Sequence, residues 1–173
     1  NPLRSISFDP PLPSPRVAAT QRGHSGKAFK LWIHARGIAV GTLITGTGQG
    51  IELLFAERAN ADGTVLIVGF GLQLHDADPG NIDWVRSEFT RIVPNAEFLS
   101  CDWHDWVEDP FSLGAWVSIP VGMGEAFHSH SWRPQGRIAF ATSDHAPDQA
   151  GWFEGAIKSG EDAADWIVKQ LSP

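Results

Sequence analysis

Residues 136–164 read GRIAFATSDHAPDQAGWFEGAIKSGEDAA, and this stretch decides the fold of the C-terminal end of the chain. The apolar run at 137–141 predicts a short strand, the polar residues 143–151 predict a turn, and the pattern over 153–171 predicts a helix. The apolar side of that helix is formed by Ile157, Ala164, Ile167 and Leu171. The sequence therefore predicts a strand–turn–helix unit.

The start of the predicted helix has the features of a ligand cradle. A helix N-terminus presents unpaired N–H groups and a partial positive charge, which suit an anion or an electron-rich ring edge. Gly151 and Gly155 allow close approach of the backbone, and Asp144 can accept a hydrogen bond from a hydroxyl. An ordinary β–α connection capped by glycine shows the same features, so the residues alone leave both interpretations open.

The preceding part of the chain alternates strand patterns with turns. A helix is predicted at residues 81–92, and Gly, Asn and Asp turns between the strand patterns favour an antiparallel meander. The glycine-rich residues 46–50 precede a strand rather than a helix, so they predict a hairpin turn and not a phosphate-binding loop. Residues 105–134 are interpreted as loops around short strands. The predicted strands are residues 27–35, 37–45, 51–57, 64–70 and 96–103. The predicted fold class is α+β with a mostly antiparallel sheet and no β-α-β nucleotide-binding unit.

Composition excludes several classes of function. The 173 residues are 42% hydrophobic and 19% charged, which predicts a soluble globular protein. No apolar run approaches the roughly 18 residues of a membrane span, and a net charge of −7 argues against a nucleic-acid partner. The single cysteine, Cys101, cannot form an internal disulfide. We therefore expect a cytoplasmic protein with neither a membrane nor a nucleic acid as partner.

Residues 136–164 resemble the C-terminal flavin-binding signature of the flavin-containing amine oxidases, a family that includes monoamine, polyamine and L-amino-acid oxidases. GWFEGA at 151–156 matches the family pattern fully, Asp144 takes its acidic position, and Thr142 replaces its glycine. The resemblance implies that FAD is the cofactor. It also implies that the residues binding FAD are Ala115, Ser143, Asp144, Gly151, Trp152, Phe153 and Ala156.

Two further segments resemble the family in the same order along the chain. FDPPLP at 8–13 and GKAFK at 26–30 resemble the stretch around the family lysine that holds a water beside flavin N5, which implies that Lys30 is the catalytic residue. WVEDPFSLGAW at 106–116 resembles the loop where some monoamine oxidases attach FAD through a cysteine. Ala115 stands at that position, which implies non-covalent FAD. Trp116 and Trp152 take the two places of the family's aromatic cage, which implies that they bind the substrate.

The function implied by this resemblance is oxidative deamination of a small amine, with hydride transfer to the flavin and reduction of O2 to hydrogen peroxide. The implied division is an extended, proline-rich entry segment at 1–16, a portion of a substrate-binding domain at 17–134 and a C-terminal FAD-binding segment at 135–173. The chain lacks the nucleotide-binding unit with which whole family members begin. We therefore expect the 173 residues alone to be inactive and colourless, and to self-associate or need that region or a partner chain.

Three alternatives stay open. The chain can belong to an L-amino-acid oxidase of the same family, or it can be a non-catalytic fragment. It can also be a cupin-like metal-binding domain, because Gly122 is followed at the required spacing by His128 and His130, which share one face if they lie on a strand. The glutamate that this motif requires downstream is missing, since Pro134 and Gln135 fill its places. We therefore predict no metal site.

Overall fold

The computed structural model describes residues 2–46, 50–73 and 76–172, except for the side chain of Ser129. The fold is α+β, as predicted. The chain divides into two compact units. The sheet unit is Lys27–Asp109, and the loop-rich unit combines Asn1–Gly26 with Pro110–Pro173. The predicted division into an entry segment, a substrate domain and an FAD-binding segment stays a prediction.

The sheet unit is a five-stranded sheet with strand order β2-β3-β4-β1-β5 and one helix. Every pairing between its strands is antiparallel, which confirms the predicted sheet type. A plain meander is wrong, because β1 lies between β4 and β5 and does not pair with β2. The elements are β1 (Ala28–Arg36), β2 (Leu43–Thr45), β3 (Leu53–Ala59), β4 (Val65–Leu72), α2 (Ile82–Ile92) and β5 (Glu97–Trp103).

The core of the sheet unit follows directly from its sequence periodicity. In β1, Phe29, Leu31 and Ile33 are buried, because side chains alternate between the two faces of a strand. On α2, Val85 and Phe89 are one turn apart and both are fully buried in the same apolar cluster. The helix and one face of the sheet therefore enclose a single hydrophobic core.

Two predictions in this unit need correction or lie outside the described residues. The strand predicted at 37–45 forms only at Leu43–Thr45. Gly37 and Gly41 adopt φ values of +83° and +84°, which interrupt an extended strand. The hairpin turn predicted at 46–50 includes residues 47–49, which lie outside the described residues.

The loop-rich unit is mainly helices and irregular segments. Its helices are α1 (Ser14–Arg22), α3 (Gly124–Phe127) and α4 (Phe153–Leu171), and its 3-10 helices are Pro2–Ser5, Ser129–Trp132 and Ser143–His145. The short strands expected within 105–134 are absent from the described residues, and α3 takes part of their place. The predicted helix over 153–171 is confirmed.

Two local predictions in this unit differ from the structure. The segment 1–16, expected to be extended, contains the first 3-10 helix and the start of α1, because a proline in the first turn of a helix costs no hydrogen bond. The strand expected at 137–141 is reduced to an isolated bridge between Gln135 and Ile138. No described strand lies beside these residues to complete a ladder.

A buried arginine ties the two ends of the loop-rich unit together. Arg16 is 6% exposed, and its guanidinium donates to the carbonyl oxygens of Ser131 and Arg133 and, at 3.3 Å, to Gln135 Oε1. It also lies over the ring of Phe140, 5.0 Å from its centroid. The start of the chain is thereby joined to a segment more than a hundred residues later.

Helix α4 leaves its apolar side uncovered. Ile157, Ile167, Val168 and Leu171 are 63%, 44%, 62% and 79% exposed. Gly155 is its only buried position among the described residues. Across the described part of the chain, no helix combines the length and the apolarity that crossing a membrane requires.

Candidate active site

A cavity of about 690 Å³ opens at the N-terminus of α4. We call it the aromatic cavity, because two tryptophans and a phenylalanine contribute to its wall. Its lining residues are Trp116, Val117, Ser143, Ala150, Gly151, Trp152, Phe153 and Ala156. Residues separated by about 40 positions in the sequence therefore meet at one helix end.

Helix α4 begins beside this cavity without a side-chain cap. Trp152 is the N-cap residue, and its side chain accepts no hydrogen bond from the helix because an indole has a donor but no acceptor. The first hydrogen bond of the helix runs from Ala156 N to Trp152 O, at 3.0 Å. The N–H groups before Ala156 in the first turn consequently have no acceptor within the helix, and they carry the partial positive charge of the helix dipole.

Two glycines shape the turn that leads into α4. Gly151 has a φ of +82°, and a Cβ added there would lie 2.4 Å from Val117 Cγ1. A Cβ at Gly155 would lie 2.3 Å from the carbonyl oxygen of Gln149. Both positions therefore need glycine, the first for its conformation and the second for close packing of the helix on the preceding turn.

The segment before the turn is held by short-range hydrogen bonds. Thr142 Oγ1 accepts a hydrogen bond from Asp144 N at 3.3 Å, and so caps the 3-10 helix Ser143–His145. The backbone N–H of Thr142 donates to Ser159 Oγ on α4 at 3.0 Å. Gly151 N donates to Ser143 O at 2.9 Å, which fixes the distance between the two ends of the turn.

A second cavity, of about 340 Å³, shares Trp116 and Val117 with the first. We call it the polar cavity, because His24, Thr142 and Asp144 line it together with Ala115. Asp144 Oδ2 lies 2.8 Å from His24 Nε2. This hydrogen bond, more than any other contact, holds the pKa of the Asp144 carboxyl below its usual value, so the carboxylate is ionised at neutral pH.

His145 is the buried neighbour of this pair. Burial lowers its pKa to about 4, so its imidazole is neutral at physiological pH. His145 Nδ1 lies 3.2 Å from the carbonyl oxygen of Phe127, to which it donates. The ring stacks on Trp132 with centroids 3.9 Å apart and an angle of 7° between the planes. His145 is therefore fixed in one orientation at the edge of the polar cavity.

Comparisons with known proteins agree on one family. The sequence profile of flavin-containing amine oxidoreductases matches residues 1–168. The chain belongs to this family. It is similar to (S)-6-hydroxynicotine oxidase of Paenarthrobacter nicotinovorans, with 34% identity over 97% of this chain and 39% of that protein. It is also similar to L-amino-acid oxidase of Mus musculus, with 43% identity over 94% of this chain and 28% of that protein.

Comparison with solved structures also matches nearly all of this chain to less than half of a longer protein. The structure of cyclohexylamine oxidase from Brevibacterium oxydans IH-35A superposes with a TM-score of 0.71 at 19% identity, over 98% of this chain and 41% of that chain. This amine oxidoreductase chain therefore spans well under half the length of the relatives it matches. The expectation that it belongs to the flavin-containing amine oxidases, whose cofactor is FAD, is confirmed.

The residues predicted for FAD and substrate line two cavities of the loop-rich unit. Trp116, Ser143, Gly151, Trp152, Phe153 and Ala156 line the aromatic cavity, while Ala115 and Asp144 line the polar cavity beside it. Lys30 lies on β1 in the sheet unit, where its Nζ is 4.9 Å from the ring centroid of Trp32 and 5.6 Å from that of Phe70. The roles of all these residues remain predictions.

Sequence reasoning missed His24, His145 and Val117. His24 is separated from Asp144 by 120 positions, and no local pattern connects them. His145 follows Asp144 directly, so its position beside a predicted site residue was a signal that it lies near the site. Its burial could not be predicted from that position. Val117 follows the predicted cage residue Trp116, and only the structure shows that it packs against Gly151.

The cupin-like interpretation of His128 and His130 fails structurally. The two residues lie at the 3-10 helix Ser129–Trp132 and not on a strand. Their Nδ1 atoms are 2.7 Å apart, and His130 Nε2 lies 2.7 Å from Glu125 Oε1, so the imidazoles bind each other and a carboxylate. Within residues 2–46, 50–73 and 76–172, no cluster of three metal-ligating side chains is arranged to hold an ion.

Proposed function

We propose that this chain is the C-terminal part of an FAD-dependent amine oxidase that deaminates a small amine oxidatively. The observation that carries the proposal is the convergence of Trp116, Ser143, Gly151, Trp152 and Phe153 on one cavity at the N-terminus of α4. When bound, FAD would supply the redox chemistry, which is acceptance of a hydride from the α-carbon of the amine and reduction of O2 to hydrogen peroxide.

The aromatic cavity at the N-terminus of α4 suits the flavin ring of FAD. The N–H groups of the first helical turn have no acceptor within the helix, and they favour an electron-rich ring edge. Gly151 and Gly155 bring the backbone close to the cavity without side chains in the way. Ser143 and Asp144 add polar atoms on the side of the preceding turn. These residues would bind and orient the ring.

We further propose that FAD is bound non-covalently. Ala115 carries only a methyl group at the position from which a cysteine would form a thioether, and the single cysteine, Cys101, lies on β5 in the sheet unit. Acid precipitation of the complete flavoprotein should release all of its flavin into the supernatant. Flavin that stays with the precipitated protein contradicts this proposal.

The two tryptophans support a neutral amine as substrate. Trp116 and Trp152 are 53% and 69% exposed beside the same cavity, so their rings can steer an amine towards the flavin. The described residues that line the two cavities include no Arg or Lys to bind a carboxylate. An L-amino-acid oxidase is the second candidate, favoured by the 43% identity to the mouse L-amino-acid oxidase.

Lys30 is the proposed catalytic residue, with the role of holding a water beside the flavin. Its side chain is exposed on β1 and lies over the ring of Trp32, which restrains the long aliphatic chain. We expect Lys30→Met to slow the reaction of the complete enzyme while FAD stays bound. An unchanged turnover in that variant contradicts the role.

The decisive experiment measures flavin content and peroxide formation. We expect the complete protein to be yellow and to form hydrogen peroxide with amines in preference to L-amino acids. Trp152→Ala should lower kcat/KM for the best amine about tenfold, which is a loss of about 1.4 kcal/mol of transition-state stabilisation. Trp106→Ala, which removes another exposed tryptophan, this one in the sheet unit, is the control and should leave kcat/KM unchanged. A protein without flavin, or without peroxide from either substrate class, refutes the function.

We also propose that another polypeptide segment covers α4. The exposed side chains of Ile157, Ile167, Val168 and Leu171 form an apolar stripe, and surfaces of this kind are normally buried by association. The relatives supply more than half of their length outside the matched region. The 173 residues alone should therefore bind no FAD and should self-associate, and Ile157→Lys with Leu171→Lys should reduce the sedimentation coefficient to that of a monomer. A yellow monomer of the 173-residue chain overturns the proposal.

A further inference from the structure

One polar atom of the polar cavity, His24 Nδ1, has no hydrogen-bond partner within the described part of the chain. His24 lies between α1 and β1, and its side chain is 8% exposed. Its Nε2 lies 2.8 Å from Asp144 Oδ2, whereas its Nδ1 is buried without any hydrogen-bond partner among the residues that the structure describes. Buried polar atoms of folded proteins are nearly always hydrogen-bonded. The unpaired Nδ1 therefore indicates a group that the described residues do not supply.

The chemistry of the pair defines what that group must be. An ionised carboxylate has no proton to donate, so the proton in the Asp144–His24 hydrogen bond belongs to His24 Nε2. In a neutral imidazole with a proton on Nε2, Nδ1 has a lone pair and accepts hydrogen bonds. When the His24 imidazole is neutral, the missing partner of Nδ1 is consequently a hydrogen-bond donor.

The position of His24 indicates which hydrogen-bond donor of the cofactor would reach its Nδ1. The ring lines the polar cavity with Ala115, Thr142 and Asp144, next to the aromatic cavity proposed for the flavin ring. The flavin ring offers mostly acceptors, whereas the ribityl chain attached to it carries several hydroxyl groups. A hydroxyl of this chain is the donor that would reach the polar cavity when the ring lies in the aromatic one.

We propose that His24, held by Asp144, binds a ribityl hydroxyl of the flavin through Nδ1. This inference rests on the proposed FAD site and adds a residue to it. Asp144 then acts as a positioning residue, because its carboxylate fixes the tautomer and the orientation of the imidazole. The 3-10 helix Ser143–His145, capped by Thr142, in turn holds the carboxylate in place.

Riboflavin and lumiflavin, which has the same ring but no ribityl chain, test the contact directly. Both are titrated into the complete protein after removal of its cofactor, and binding is followed by quenching of flavin fluorescence. His24→Gln places an amide near Nε2 and keeps a donor to Asp144, whereas His24→Asn places an acceptor near Nδ1. His104→Gln is the matched control, because His104 forms an equivalent 2.8 Å contact with Asp109 in the sheet unit.

We expect His24→Gln to weaken riboflavin binding about tenfold, the size of one lost hydrogen bond, and to leave lumiflavin binding unchanged. His24→Asn should retain most of the affinity for riboflavin, and His104→Gln should affect neither ligand. Riboflavin binding that is unaffected by His24→Gln overturns the inference, since Nδ1 would then bind water only. Equal losses for both flavins also overturn it, because they indicate a purely structural role. If neither flavin binds the wild-type protein, the proposed FAD site fails together with this inference.

Discussion

Helices α2 and α4 have the same amphipathic design and opposite surroundings. Helix α2 buries Val85 and Phe89 completely against the sheet. Helix α4 is eight residues longer, yet Ile157 and Leu171 on its apolar side are mostly exposed. An amphipathic helix is normally stabilised by burial of its apolar face. The sheet unit therefore covers the apolar face of its own helix, whereas the apolar side of α4 stays exposed in the loop-rich unit.

The N-termini of α2 and α4 also differ, because a side chain caps the first and none caps the second. Asn81 caps α2, and its side-chain oxygen accepts hydrogen bonds from Asp83 N and Trp84 N at 3.0 and 3.4 Å. Trp152 begins α4 without a side-chain cap. The first helix end is capped by a side chain, and the second, which lies at the aromatic cavity, is not. The helix of the sheet unit is capped and its apolar face is buried. The helix at the candidate active site has no side-chain cap, and its apolar side is exposed.

The largest expected effect comes from the apolar faces. Phe89→Ala should lower the free energy of unfolding by about 3–5 kcal/mol, because it opens a cavity in a closed core. Ile157→Ala should change it by less than about 0.5 kcal/mol, because a mostly exposed side chain loses little on truncation. Urea denaturation of the 173-residue chain measures both, at a dilution at which sedimentation shows a monomer. Equal losses for the two variants would mean that α4 is covered after all.

The second effect is acid sensitivity of the loop-rich unit. Because burial lowers the pKa of His145 to about 4, the unfolded chain binds a proton between pH 6.5 and 4 that the folded chain does not. Stability should therefore fall as the pH drops through this range, by up to about 3 kcal/mol. His145→Asn keeps a donor for the carbonyl oxygen of Phe127 but cannot titrate.

Hydrogen exchange at pH 7 and pH 4.5 resolves this effect by unit. Amides around the 3-10 helix Ser143–His145 should lose protection in the wild type and lose much less in His145→Asn. Amides of β1 and β4, whose core is apolar, should respond alike in both proteins. An identical pH response of the two proteins around residues 143–145 would show that another group controls acid unfolding there.

The smallest effect concerns the helix caps. Asn81→Ala should cost about 1 kcal/mol, because two backbone donors of α2 lose their acceptor. Trp152→Ala should be close to neutral for stability, because the indole caps nothing. Thermal unfolding of both variants is the measurement. A loss for Trp152→Ala that matches the loss for Asn81→Ala would give this tryptophan a structural role at the helix end.

The elements that the sequence predicted well are those with a clear periodicity of apolar residues within the element itself. The strand predicted at 27–35 forms at Ala28–Arg36, and the helix predicted at 81–92 forms at Ile82–Ile92. The strand expected at 137–141 was wrong because strand formation depends on a neighbour, which the apolar run itself does not encode. The position of β1 between β4 and β5 was missed for the same reason, since strand order is a long-range property.

The residues of the candidate site also divide into those that the sequence predicted and those that it could not predict. The residues of the GWFEGA motif were predicted correctly to meet at a helix N-terminus, because their spacing is local. Resemblance to the family added Trp116, which now lies beside Trp152 at the cavity. His24 could not be predicted, because nothing around it in the sequence signals a contact with Asp144. A buried unpaired nitrogen becomes visible only when atomic positions are known.

The loop-rich unit is assembled from both ends of the chain, and this has a consequence for its folding. The sheet unit is one continuous segment, so all of its strands are present once residue 109 has been synthesised. Its first and last strands are neighbours, with Leu31 paired to Trp103. Once the sheet forms, it therefore holds residue 26 and residue 110 close together. This raises the effective concentration of the N-terminal segment of the loop-rich unit around its C-terminal segment. The contacts of Arg16 with Ser131 and of His24 with Asp144 then close a short gap instead of a long unfolded loop.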